Sequence, residues 1–291
     1  MRFTLLLLAL LICCPDGAWA KSDRMKVDAL EYPWSAVGRL NAGGRGYCSA
    51  VLISERHLLT AAHCLWNRIQ DSWWPATSLH FVAGYQGGEA PLHSLVKSYV
   101  LADGAVMTES KSDASRDWAV VELADPLGRQ AGWLQVDSDG AEKTVWVGEL
   151  GYRAESPHAM TLEFGCRIVA HSDGNALFWH DCAGAKGESG GPVLAFRSDG
   201  PHVVGITSRI AVGNGLTLTG VVDLKRLADP QQFPKAAAAF AAAHNGPGHP
   251  PASGGPARPL PSDSIRRLSV GKPQSPSLEL LSQLLNTAAA R

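Results

Sequence analysis

The chain has 291 residues, 45% of them hydrophobic, and a formal net charge of −1. That length holds one large or two small cores, and the composition supplies enough apolar surface to offset chain entropy. A near-neutral body argues against nucleic acid or an anionic membrane surface as a partner, because either would call for a basic excess. Along the chain, the first twenty residues stand apart. Arg2 precedes the apolar run "FTLLLLALLICC", too short to span a bilayer comfortably, and Ala18-Trp19-Ala20 offers small residues at a cleavage position. The reading is a secretory signal peptide over 1–20, cut after Ala20. An N-terminal anchor, or a lipoprotein signal on Cys13 or Cys14, ranks below it. No later stretch is long and apolar enough to be a membrane span, so an exported protein, secreted or periplasmic, is expected.

Residues 21–32 read as a short propeptide or N-terminal segment. From about Ser35 to Asp223 one strand-like run follows another: "SAVGRL", "YCSAVLI", "SLHFVAG", "WAVVEL", "TVWVGEL", "LEFGCRIVA", "PVLAFR", "HVVGITS" and "LTGVVDL". Each is short and β-branched or aromatic, with Gly, Pro, Asp or Ser between them. No amphipathic helical pattern interrupts them, which favours an all-β barrel or sandwich over a parallel βαβ sheet. "WNRIQDSWWPATS" and "ADGAVMTESKSDASRD" read as long surface loops. The domain is placed over 33–232. Beyond it, 233–275 combines an Ala-rich helix, "KAAAAFAAAH", with a Pro/Gly-rich stretch too poor in apolar residues to pack, read as a disordered tail. Residues 276–291 read as an amphipathic helix with Leu278, Leu281 and Leu285 on one face, either docking on the barrel or on an unknown partner, or standing as a weakly ordered tail helix.

Six cysteines are present, and two lie inside the signal. The other four, Cys48, Cys64, Cys166 and Cys182, are an even set in an exported chain, which points to disulfides. Three pairings are open. The two local candidates are Cys48–Cys64 and Cys166–Cys182, each worth about 3 kcal/mol by chain entropy. Zinc is the weaker reading, since no closely spaced Cys-x-x-Cys pair exists; neither a metal nor an organic cofactor is expected.

Three short stretches carry chemistry. "GESGGP", residues 187–192, sets Ser189 among glycines, a pattern that by itself is common in turns. A serine hydroxyl needs a base to become a nucleophile at neutral pH, and imidazole suits that task. His63 stands in "LLTAAHC" after a strand-like run, beside Cys64. The imidazole in turn needs a carboxylate to hold its tautomer and offset its charge. Asp117 opens "DWAVVEL", where an acid leads into an apolar strand. Together, "LTAAHC", "DWAVVEL" and "GESGGP" resemble the His, Asp and Ser motifs of the trypsin/chymotrypsin-like serine peptidases, over about residues 33–225.

That resemblance implies two antiparallel six-stranded β-barrels with the site between them. It implies His63 as base, Asp117 as its orienting carboxylate and Ser189 as nucleophile. It further implies an oxyanion hole from the backbone N–H groups of Gly187 and Ser189, and protein or peptide substrates. The alternative is a protease-like binding protein with weak or no turnover; an ester-cleaving hydrolase is a third option. The spacing of Cys182 ahead of Ser189 and the start "SDRMKVDALEYPW" look closest to bacterial glutamyl-endopeptidase-like members. Glu188 stands where the family usually has Asp, and no R-[IV]-V-G-G activation site is present. For the substrate pocket, the resemblance points to Ala183, Ser208, Arg209 and Ile210. Ala183 replaces the acid that selects Lys or Arg. Ile210 favours small or medium apolar side chains, whereas Arg209 favours an acidic one.

Overall fold

The computed structural model describes residues 24–227, apart from 45, 108–112, 138, 173, 175 and 214, together with 234–243. The proposed signal peptide and the tail beyond 243 lie outside the described residues. The first barrel uses β2 (Val37–Ala42), β3 (Gly46–Leu52), β4 (His57–Thr60), β5 (Leu79–Ala83), β6 (Leu92–Leu101) and β7 (Ala119–Leu123). These close antiparallel in the order β2-β3-β4-β7-β6-β5. Closure leaves no open edge, and the inward side chains, among them Leu40, Val51, Leu59, Phe81 and Val121, fill the interior.

The second barrel uses β8 (Trp146–Tyr152), β9 (Met160–Ser172), β10 (Leu177–His180), β11 (Pro192–Arg197), β12 (Gly200–Gly213) and β13 (Leu216–Asp223). They run β9-β8-β11-β12-β13-β10, and the antiparallel β9–β10 pairing closes the ring. Val147, Phe178, Val193, Val204 and Val221 form its core. A three-residue strand, β1 (Arg24–Lys26), lies along the outside of β9 with Arg24 opposite Glu163. The expectation of two antiparallel six-stranded barrels is met.

Some local results differ from the sequence reading. β6 has no counterpart among the expected strands, because its buried positions are Ser94 and Val96 while the apolar Leu95 faces out. The 66–78 stretch is only partly a loop. Trp66–Asn67 pairs with Ser72–Trp73 around Asp71, whose φ is +48°, and the Trp66 and Trp73 rings meet edge-on at 4.9 Å. The Ala-rich segment forms the helix Pro234–Ala243, which packs Ala236 and Phe240 against the first barrel. Asp103 accepts the Lys235 and Ala236 N–H groups at 3.0 and 3.1 Å, satisfying donors that a helix start leaves unpaired.

Both local cysteine pairs are disulfides. Cys48–Cys64 ties β3 to the turn after β4, and Cys166–Cys182 ties β9 to the loop after β10.

Candidate active site

His63 sits in the one-turn 3-10 helix Ala62–Leu65 that follows β4, and the disulfide at its neighbour Cys64 anchors that turn. Asp117 follows another such turn, Ala114–Arg116, just ahead of β7. Because β4 and β7 are paired, with Thr60 opposite Ala119, the two side chains emerge at the same end of the sheet. Asp117 Oδ2 accepts from His63 Nδ1 at 2.8 Å, and Oδ1 accepts the His63 backbone N–H at 2.8 Å. Ser208 donates its hydroxyl to Oδ2 at 2.5 Å from the second barrel. A bulge between Thr207 and Arg209 makes this possible, since Ser208 is the extra residue on β12 and is aimed out of the ladder.

Asp117 is 3% exposed. Burial by itself pushes its carboxyl up; the facing His63 and the hydrogen bonds from His63 and Ser208 outweigh that and hold it below the ordinary carboxylate value. An ionised carboxylate is an acceptor only, so the shared proton stays on His63 Nδ1, which keeps a lone pair on Nε2. Among the described residues Nε2 has no protein partner.

Ser189 reaches the same place through its backbone. Its carbonyl accepts the Ser49 N–H at 2.9 Å and lies 3.7 Å from Cys64 Sγ, one residue from His63. On its other side, Gly190 N–H donates to Thr207 O at 2.7 Å, one residue from Ser208. Its own Oγ makes no hydrogen bond to a protein group among the described residues. The loop needs its glycines: Gly187 has φ +95°, and a Cβ there would stand 2.4 Å from Tyr152 O. Gly190 has φ +76°, and a Cβ would stand 2.2 Å from Thr60 Oγ1. Among the described residues the N–H groups of Gly187 and Ser189 have no protein acceptor, whereas Glu188 N–H between them is spent on Ala185 O at 3.2 Å.

The pocket residues are spread over the loop and β12. Ala183 is exposed, and its carbonyl accepts from Arg153 at 2.9 Å. Ile210 is 37% exposed. The Arg209 stem lies over Gly220, where a Cβ would meet Arg209 Cγ at 2.8 Å. Its Nε is buried without a hydrogen-bond partner, and no carboxylate among the described residues pairs with it. The sequence reading passes over Ser49, which links the barrels, and over Arg24, Glu149 and Glu163. An acid inside an apolar strand run was the available signal for the two glutamates.

His180 on β10 was not singled out either. It is fully buried, with Nδ1 accepting Cys182 N–H at 3.3 Å and Nε2 unpartnered. Burial, aided by the charge of Arg24, pushes its pKa down to about 3. The unfolded chain protonates near 6.5 and the folded chain does not. Stability is therefore lost as pH falls from about 6.5 toward 3, by up to about 1.4 kcal/mol per pH unit. Asparagine can replace the Nδ1 acceptor without titrating. Urea unfolding at pH 7 and 4.5 should show wild type losing roughly 2–3 kcal/mol more than His180→Asn; equal losses would exclude this role.

The fold has known counterparts. The family model for trypsin matches residues 23–227. Transmembrane protease serine 9 of Rattus norvegicus is 34% identical over 122 residues, 40% of this chain but 11% of that protein's length. Among solved structures, a Glu endopeptidase in complex with MPD superposes with a TM-score of 0.60 at 17% identity, covering 76% of this chain and 96% of that one. The protease Anisep of Arthrobacter nicotinovorans gives 0.56 at 18% identity, covering 74% and 99%. At such identities these two structures speak for the fold alone. The family match spans well over half of the chain, and on that ground the protein belongs to the trypsin family of serine peptidases.

Proposed function

We propose that the chain is an exported serine endopeptidase that cleaves through an acyl-enzyme, with His63, Asp117 and Ser189 as its triad. The observation that carries this reading is the 2.8 Å pair between His63 Nδ1 and Asp117 Oδ2, set beside the Ser189 loop by the Ser49 and Cys64 contacts. His63 Nε2 takes the proton as Ser189 Oγ attacks the scissile carbonyl. The acyl–oxygen bond forms and the peptide C–N bond breaks as the leaving amine takes that proton from His63; water then gives a proton to His63 and attacks the acyl carbon, and the acyl–oxygen bond breaks as His63 returns the proton to Ser189 Oγ. The unspent N–H groups of Gly187 and Ser189 receive the developing oxyanion, each worth about 3 kcal/mol of barrier. Two disulfides fit an oxidising compartment and support export.

A fluorophosphonate probe tests the reading. Wild-type protein should be labelled at Ser189 and Ser189→Ala should not; an inert wild type would leave the protease-like binding protein as the better account.

For specificity, the unpaired Arg209 guanidinium supports an acidic side chain at the position before the cleaved bond, since a partly dehydrated cation favours a carboxylate. A peptide library should show Glu or Asp preferred there. Arg209→Leu should lower that preference at least about tenfold, the worth of one lost charge-assisted contact. A strong preference for Lys or Arg would sink this assignment.

A further inference from the structure

Directly ahead of Ser189, the carboxylate of Glu188 is fully buried, and it is not alone. Glu149 on β8 and Glu163 on β9 are buried with it. All three face one guanidinium, that of Arg24, which is itself 15% exposed. Arg24 Nη1 donates to Glu188 Oε1 and, at 3.2 Å, to Thr161 Oγ1. Nη2 donates to Glu163 Oε2 and, at 3.4 Å, to the Ala183 carbonyl, and lies 3.7 Å from Glu149 Oε2. The other Glu188 oxygen accepts Ala185 N–H at 2.7 Å and lies 3.5 Å from Arg153. One side chain thus joins β8, β9 and both ends of the 183–188 segment.

Three carboxylates face two guanidiniums, so the cluster holds one negative charge too many. Burial first, and then the neighbouring Glu188, push Glu149 well above the ordinary carboxylate range. An excess of buried acid makes the cation at its centre costly to lose.

We propose that Arg24 is a positioning residue for the nucleophile loop: by fixing Glu188 it sets the direction of the Gly187 and Ser189 N–H groups on either side. The inference rests on the peptidase reading above. Glu188 is the residue between the two unspent donors, and its side chain and its N–H both bind Ala185. Backbone bonds brace the same loop, Ala154 N–H on Lys186 O at 2.7 Å and Gly191 N–H on Glu188 O at 2.8 Å, and Arg24 adds the side-chain link from Glu188 to β8 and β9. The counter-charge is a side chain delivered by β1.

The test compares fluorophosphonate labelling rate and peptide kcat and KM across four full-length proteins, each checked for folding by thermal melting. They are wild type, Arg24→Lys, Arg24→Met, and Arg24→Met combined with Glu149→Gln and Glu163→Gln. Arg24→Met should label about 100-fold more slowly, with kcat lowered and KM little changed, as expected when an oxyanion donor is misplaced. Arg24→Lys should recover part of the rate. The triple variant removes the surplus buried acid and so protects folding if Arg24→Met alone fails to fold; it should remain slow. A folded triple variant labelling at the wild-type rate would overturn the proposal, because Arg24 would then only balance charge. An unlabelled wild type would instead remove the peptidase reading itself.

Discussion

Ser189→Ala is expected to lower peptide turnover by roughly 10⁴–10⁶-fold while leaving the fold in place. The loss is large because alanine offers no lone pair to the carbonyl, and the oxyanion donors and substrate binding alone sustain only a small residual rate. The fold should survive because Ser189 is anchored by its backbone. Its carbonyl receives the Ser49 N–H, and alanine keeps that carbonyl. Steady-state turnover and a thermal melt decide the matter together. A folded Ser189→Ala protein with undiminished turnover would show that the hydroxyl takes no part.

The second large effect is expected for Asp117→Asn, about 10⁴-fold in kcat. The reason lies in the three donors around this carboxylate: the His63 N–H, the His63 Nδ1–H and the Ser208 hydroxyl. An asparagine must present its oxygen to the His63 N–H, because the amide nitrogen there would face another donor. Its NH₂ group then points at Nδ1, which has to give up its proton and become the acceptor. The proton moves to Nε2, and the lone pair needed to receive the Ser189 proton is gone. Ser208 can turn its hydroxyl to accept, so packing is spared. A fall of less than tenfold in kcat would mean that Asp117 does not set the tautomer.

Much of the architecture was legible because barrel strands carry their own punctuation. β11 follows its sequence run residue for residue, from Pro192 to Arg197. β6 was hidden because its inward face includes Ser94, hydrogen-bonded to Asp125 at 3.1 Å, while Leu95 points to solvent. β10 was hidden by brevity: four buried residues show no alternation. β1 reads as a methionine between two basic residues, and what it tucks inward is a guanidinium. The motif residues were visible because their chemistry demands particular neighbours in sequence. Arg24, Glu149 and Glu163 have no such neighbours. They meet only through strand pairing between distant segments; an acid inside an apolar run marks Glu149 and Glu163 as unusual but does not point to Arg24, more than a hundred residues away. Ser208 was expected to line the pocket, and its bond to Asp117 follows from the bulge, which a period-two reading of the strand does not reveal.

Ser49 gives the two barrels a shared fate. From the first barrel it donates its N–H to Ser189 O and its hydroxyl to Gly187 O, and it takes the Tyr152 N–H from the second. His63 and Asp117 come from one half of the chain, Ser189 and Ser208 from the other. Neither half carries the whole of the proposed triad. A chain nicked in the 124–145 connector would stay competent while its halves remained associated, and parting them would abolish every function of the cleft in a single event.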